Sequence, residues 1–140
     1  MGVIWYNSKK CYHAINILVI NTKEIDVELQ YFKITDFDCQ ETGENNMQEE
    51  FLLKLDALRH ICKFPFNITS GYRSPKHSIE SKKSKPGTHS EGIAADILVT
   101  SSAQKYEIVK QAMLLGFNGI GVAKTFIHVD IRKHSTMWSY

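Results

Sequence analysis

The chain has 140 residues, a net charge of +2 and 43% hydrophobic residues. This length favours one compact domain, and the composition is that of a globular protein rather than a disordered or fibrous one. The charge is too small to indicate a nucleic-acid-binding protein. The longest early apolar run, residues 17–20, is far shorter than a membrane-spanning helix. We therefore expect the protein to bind neither nucleic acids nor membranes. We also expect it to be a monomer.

The three cysteines, Cys11, Cys39 and Cys62, are odd in number and widely spaced, without a CxxC pair. A disulfide framework is therefore not expected, and we predict three free thiols in a reducing compartment. Lys9 and Lys10 precede a short apolar stretch, but Asn16 interrupts it and no small-residue cleavage site follows. A secretory signal is therefore not predicted, and the protein is expected in the cytoplasm after synthesis.

The first 30 residues contain short β-prone runs at 3–6 and 15–20, which predict a hairpin or an accessory flap without an assigned role. Residues 31–39 are predicted to be extended, and residues 41–46 to form a turn. The first helix is predicted over residues 47–62, because apolar residues recur there at spacings of three and four. A short strand is predicted at residues 66–69.

Residues 71–91 contain few apolar side chains and predict a long functional loop. An apolar strand over 93–99 follows, and then a helix over 103–115 that Gly116 ends. Residues 116–122 predict a glycine-rich turn. The strand predicted at 126–131 alternates, with His128 and Asp130 on one face and apolar side chains on the other. The elements predict an α+β domain.

Asp96 interrupts the apolar strand and, if buried, needs a cation, hydrogen-bond donors or a proton. Should the two predicted strands be neighbours, two imidazoles, His89 and His128, and at least one carboxylate, Asp96 or Asp130, would converge. This is the ligand set of a catalytic zinc with an open fourth position. Two ordinary explanations compete with this hypothesis. Backbone amides or a lysine can satisfy a strand aspartate, and a single histidine on a strand is more often a packed or exposed residue than a ligand.

Five segments together resemble one family, the zinc D-alanyl-D-alanine carboxypeptidase-like peptidases, within the superfamily that includes hedgehog proteins. The resemblance covers residues 31–140, which we treat as a catalytic domain after an N-terminal extension of residues 1–30. It is carried, in the family's order, by SGYRSPKH (70–77), THSEGIAADI (88–97), GFNGIG (116–121), FIHVDIR (126–132) and Trp138. The implied fold is a small antiparallel sheet with flanking helices around a zinc site.

The resemblance implies one zinc ion held by His89, Asp96 and His128. Other members have His-x-His in the last strand, or an acid three residues before a single histidine, where this chain has Thr125. We expect Asp130 to act as the general base, because neutral imidazole is the commoner zinc donor. An exchange of roles between His128 and Asp130 is the main alternative.

Arg73 matches a family arginine that lies beside the zinc and binds the substrate's carboxylate or polarises its carbonyl. A structural ion pair with Asp96 or another acid is the alternative for this residue. We also expect His77 and Thr88 to contact substrate, although His77 can equally be an ordinary loop residue.

The activity implied is hydrolysis of an amide bond in peptidoglycan stem peptides, as a D,D-carboxypeptidase or an endolysin-like endopeptidase. Such a phage or bacterial enzyme would act on the cell wall after release or as a phage component. The alternative is a non-catalytic, zinc-stabilised binding or assembly domain on the same fold.

Overall fold

Two α-helices and a five-stranded sheet form the regular structure of residues 27–140, the part of the chain that the computed structural model describes. The strand predictions at 3–6 and 15–20 and the thiol of Cys11 lie outside these residues. Cys39 and Cys62 are buried free thiols, as predicted. No helix in the described part is long and apolar enough to cross a membrane.

The helices lie close to their predicted positions. Helix α1 spans Glu49–Cys62 and ends where Lys63 adopts a left-handed conformation. Helix α2 spans Ser102–Leu114 and begins at Ser101, whose hydroxyl accepts a hydrogen bond from the backbone of Gln104 at 3.2 Å, a common way to satisfy a helix start. The apolar faces of both helices pack into one core.

The sheet has the strand order β1-β2-β4-β3-β5. Its strands are Ile68–Ser70 (β1), Ala94–Leu98 (β2), Gly119–Val122 (β3), Phe126–Asp130 (β4) and Thr136–Ser139 (β5). The first four strands in this order pair antiparallel, as predicted, whereas β5 joins β3 in parallel. The α+β class is confirmed, and the sheet is mixed because of a fifth strand that was not predicted.

Two local predictions were wrong. Residues 116–122 were predicted to be a turn, but β3 begins at Gly119, because the glycines face the bulky side chains Asp130 and Trp138 of neighbouring strands. Residues 31–39 were predicted to be extended, but Ile34–Phe37 forms a 3-10 helix. In its first turn the Asp36 carboxylate accepts a hydrogen bond from the backbone N of Lys33. In both places contacts with the rest of the fold override local preference.

The two faces of the sheet have different tasks. Ala95 and Ile97 of β2 and Ile127 and Val129 of β4 point into the core. The alternate residues form a row across all five strands on the opposite face, which we call the central row. Its members, paired strand to strand, are Ser70, Asp96, His128, Gly121 and Trp138.

Gly92 lets the loop before β2 turn against the start of α1. Its φ is +73°, its carbonyl accepts a hydrogen bond from Gln48 N at 2.9 Å, and an added Cβ would lie 2.1 Å from the Asn46 carbonyl oxygen. Gly43 has the same φ of +73° but open space around its Cβ position.

The pair Gly92→Ala and Gly43→Ala separates backbone strain from collision. We expect Gly43→Ala to lower the free energy of unfolding by about 1 kcal/mol, the cost of left-handed backbone. Gly92→Ala should lower it by about 3 kcal/mol, because the Asn46 backbone must also move. Urea unfolding of both variants measures the difference, and equal losses would contradict the close packing at Gly92.

Candidate metal centre

Three buried side chains converge on the face of the sheet opposite the core. His89 Nε2 and His128 Nδ1 lie 3.2 Å apart, and Asp96 Oδ1 lies 3.4 Å from the first and 3.0 Å from the second. All three residues are buried, and together they form a group able to hold a metal ion. We call this group the triad.

The fold brings the triad together from distant parts of the chain. Asp96 and His128 are direct partners in the register of β2 and β4, on the same face of the sheet. His89 comes from the loop before β2, where its carbonyl accepts a hydrogen bond from Arg73 N at 3.2 Å. The convergence of His89, Asp96 and His128 predicted from the sequence is therefore present.

Each imidazole has a hydrogen-bond acceptor on the nitrogen that points away from the triad. His89 Nδ1 lies 2.7 Å from the carbonyl oxygen of Gly71, and His128 Nε2 lies 2.7 Å from Asp130 Oδ2. Each of these nitrogens therefore carries a proton, and in the neutral imidazoles His89 Nε2 and His128 Nδ1 have free lone pairs. Metal-binding histidines in proteins are oriented in this way.

The triad thus presents three acceptor atoms to one another, an arrangement that needs a cation among them. Burial disfavours the charged form of His128, but its contacts with Asp130 and Asp96 outweigh this and raise the pKa of His128. Burial likewise opposes the charge on Asp96, yet His128 and His89 hold the pKa of this carboxyl well below its usual range. A proton or a metal ion can meet this need.

The spacing of the three atoms fits zinc. In a tetrahedral site with bonds of about 2.0 Å, donor atoms lie about 3.3 Å apart. The measured separations of 3.0, 3.2 and 3.4 Å match one triangular face of such a site. Two imidazoles and one carboxylate are also a common ligand set of catalytic zinc with an open fourth position.

Asp130 lies on the opposite edge of the His128 ring from the triad. Its carboxylate is fully buried and is clamped by Arg132, with Nε 2.9 Å from Oδ1 and Nη2 2.5 Å from Oδ2. Burial opposes its charge, but Arg132 and His128 hold the pKa of Asp130 well below its usual range. Asp130 is therefore placed to orient His128, and His128 rather than Asp130 contributes the third convergent atom.

Arg73 lies beside the triad and contacts the second oxygen of Asp96. Its Nη2 is 3.3 Å from Asp96 Oδ2, and its Nε donates to Ser70 Oγ at 3.1 Å. Its Nη1 lies 4.0 Å from Glu80 Oε1 and makes no hydrogen bond to the described residues, and the side chain is 19% exposed. The ion pair considered as the alternative exists, and Nη1 remains able to donate to a ligand.

The other two predicted substrate contacts lie in the loop before β2. His77 Nδ1 accepts a hydrogen bond from Ile79 N at 3.1 Å, and its Nε2 lies 3.4 Å from Glu41 Oε1. These contacts tie His77 to its own loop and to the turn at Glu41. Thr88 is half-buried, and its carbonyl accepts a hydrogen bond from Ile93 N at 3.1 Å.

Two charged residues near the site were missed by sequence reasoning. Arg132 was assigned no role, although its position two residues after Asp130 puts it within reach of that carboxylate. Glu80 is buried and binds Lys83 Nζ at 2.7 Å and Gly87 N at 3.1 Å. No pattern distinguishes Glu80 in a loop rich in serine and lysine.

The buried triad of two histidines and one aspartate has the ligand types found in metal-dependent hydrolases. The family model for peptidase M15 matches residues 20–130. The chain belongs to the peptidase M15 family, which implies a zinc metallopeptidase. No curated protein matched the sequence.

This match confirms, at the level of the family, the resemblance noted in the sequence. It begins at residue 20, within the segment set apart as an N-terminal extension. The domain boundary at residue 30 stays a prediction.

Proposed function

We propose that this protein is a zinc peptidase that hydrolyses an amide bond in peptidoglycan stem peptides, with His89, Asp96 and His128 as the zinc ligands. The observation that carries the proposal is the triad, in which both imidazoles are oriented by acceptors on their far nitrogens. Three buried acceptors that face one another without a donor destabilise the fold, and a bound cation would remove this cost by interacting with all three.

Zinc held by the triad would polarise a peptide carbonyl and a water molecule. The chain's own contribution at this point is Arg73, whose Nη2 lies 3.3 Å from Asp96 Oδ2 and whose Nη1 lies 4.0 Å from Glu80 Oε1. A guanidinium in this place can bind the terminal carboxylate of a short peptide or stabilise the oxyanion that forms during hydrolysis. Both tasks use the nitrogen that does not contact Asp96.

For Asp130 we propose an orienting role in place of the general-base role predicted from the sequence. Its carboxylate accepts hydrogen bonds from His128 Nε2 and from Nε and Nη2 of Arg132. A base must reach the proton that it removes, within about 3 Å or through one water. Asp130 is separated from the triad by the width of the His128 ring, so it acts on the metal ligand instead.

The choice of substrate rests on the resemblance carried by the five motifs, and Arg73 supports it. Stem peptides end in a free carboxylate, which an arginine fork binds well. The same residues suit a D,D-carboxypeptidase or an endopeptidase of the endolysin type. The proposed partner is thus the peptidoglycan peptide, and the proposed setting is the cell wall reached after release or as a phage component.

Defined muropeptides test the proposal. We expect the zinc-loaded full chain to cleave one amide bond in the stem peptide, with the product identified by mass spectrometry, and protein stripped by a chelator to be inactive until zinc is restored. Release of D-alanine would identify a carboxypeptidase, and cleavage within the stem an endopeptidase. Stoichiometric zinc without any cleavage would contradict the enzyme and favour the non-catalytic zinc-stabilised domain.

A further inference from the structure

Arg132 lies next to the central row and makes an unusually complete set of contacts with Asp130. Its Nε lies 2.9 Å from Oδ1 and 3.0 Å from Oδ2, Nη2 lies 2.5 Å from Oδ2, and its backbone N donates to Oδ1 at 3.0 Å. Forked contacts of this kind fix the plane of a carboxylate as well as its position. Arg132 therefore determines how Asp130 meets His128.

The backbone of β3 leaves room for this arrangement. Gly119 faces Asp130 across the strands, and an added Cβ would lie 2.1 Å from Asp130 Oδ1. The neighbouring Gly121 faces His128 on one side and Trp138 on the other, and an added Cβ there would lie 2.7 Å from the indole ring. The absence of a side chain at both positions of β3 thus leaves space for Asp130 and Trp138 from the neighbouring strands.

Trp138 covers Arg132 and the edge of the site. Its ring centroid lies 4.8 Å from the guanidinium carbon of Arg132 and 5.1 Å from the centroid of the His128 ring. Cation–π contact of this geometry stabilises a guanidinium and limits its motion. The contacts thus form a chain: Trp138 packs on Arg132, Arg132 forms an ion pair with Asp130, and Asp130 accepts a hydrogen bond from His128.

We infer that Arg132 is a positioning residue for the metal centre, holding the Asp130 carboxylate in the orientation that keeps His128 Nδ1 free to bind zinc. This inference rests on the proposed function for the identity of the ion. Neither Arg132 nor Trp138, which packs on its guanidinium, would touch the metal. Both would act by fixing the position of Asp130. Partners of metal ligands commonly account for 10–100-fold in metal affinity.

The physical reason is the cost of a buried carboxylate without its cation. Asp130 is completely buried, so removal of Arg132 leaves a charge that must become protonated, turn away or admit water. Each of these outcomes weakens the acceptor on His128 Nε2. The ring is then no longer held in the orientation in which Nδ1 faces His89 Nε2 and Asp96 Oδ1.

A double-mutant cycle in zinc affinity tests the inference. Zinc dissociation constants are measured by competition with a chromophoric chelator for the wild type, Arg132→Gln, Asp130→Ala and the double variant, with Arg59→Gln as the control. Arg59 stacks on Tyr31 at 4.5 Å, away from the triad. We expect each single variant to bind zinc about 10–100-fold more weakly and the control to be unchanged.

The double variant is the decisive arm. If Arg132 acts through Asp130, the double variant should bind zinc about as weakly as Asp130→Ala alone. Multiplying losses would overturn the inference, as would zinc binding by Arg132→Gln within about twofold of the wild type. Should Arg132→Gln fail to fold, Arg132→Lys replaces it, since lysine keeps the charge but loses the fork.

The same variants separate the two proposed roles of Asp130. An orienting Asp130 predicts the loss of affinity just described. The general-base role predicted from the sequence gives the opposite pattern, in which Asp130→Ala binds zinc normally and only turnover falls.

A second measurement keeps this inference apart from the proposed function. In metal-free protein, the NMR signal of the His128 Nε2 proton reports the hydrogen bond to Asp130, whether or not Nδ1 is also protonated. We expect a proton that exchanges slowly with water in the wild type and faster exchange in Arg132→Gln, and an unchanged exchange rate in Arg132→Gln would overturn the inference. A wild type without zinc affinity would overturn the proposed function, while the ring measurement would still test Arg132.

Discussion

Replacing His89 by alanine is expected to abolish zinc binding and peptide hydrolysis together. His89 Nε2 is one corner of a triangle whose other atoms lie 3.2 and 3.4 Å away, so its loss leaves two donors on one side of the site. Metal content should fall from one zinc per chain to nearly none, and hydrolysis should drop by about 10³-fold or more.

Thermal unfolding distinguishes a missing ligand from a damaged fold. Zinc that binds only the native state stabilises it by about 2.7 kcal/mol at a concentration a hundred times Kd, so added zinc should raise Tm of the wild type. His89→Ala should unfold cooperatively without responding to zinc. The matched control is His60→Ala, an exposed histidine on α1 that contacts Tyr31. A zinc-dependent Tm in His89→Ala would contradict its role as a ligand.

The second large effect is expected at Arg73, where turnover should fall while zinc remains bound. Arg73→Lys keeps a cation near Asp96 but loses the fork that can bind a carboxylate or an oxyanion in two places. We expect kcat/KM to decrease by about 10²–10³-fold, with zinc affinity and Tm near those of the wild type. Arg59→Lys serves as the control substitution.

The alternative for Arg73 is a purely structural ion pair with Asp96, and the lysine variant discriminates between the two. A structural pair at 3.3 Å can be replaced by lysine, so turnover would then be preserved. Full activity of Arg73→Lys would therefore contradict a role in the reaction. Comparing substrates with a free and an amidated terminal carboxylate then separates substrate binding from stabilisation of the oxyanion.

The sequence alone predicted much of this site because its signals are local. Strict alternation in residues 126–131 placed His128 and Asp130 on one face, and a carboxylate within an apolar run made Asp96 conspicuous. Helical periodicity likewise placed both helices within about two residues of their observed bounds, since amphipathic spacing persists over several turns.

Residues whose partners lie far away in the chain gave no such signal. Strand β5 was missed because its pairing with β3 depends on Gly121 making room for Trp138, which no local pattern reveals. The buried Glu80 was missed for a different reason: its partners Lys83 and Gly87 are near in the chain, but nothing in the pattern distinguishes them from ordinary loop residues.

The sequence by itself determined the chemistry available at the centre: two imidazoles, a carboxylate in an apolar strand and an arginine, in the order of a known family. Only the tertiary structure decided which of His128 and Asp130 faces His89 and Asp96. Both residues lie on the same face of β4, so alternation cannot distinguish them. Arg132 binds the Asp130 carboxylate, and Gly119 has no side chain that would occupy its place. Asp130 therefore contacts Nε2 of His128, and Nδ1 of the same ring faces His89 and Asp96.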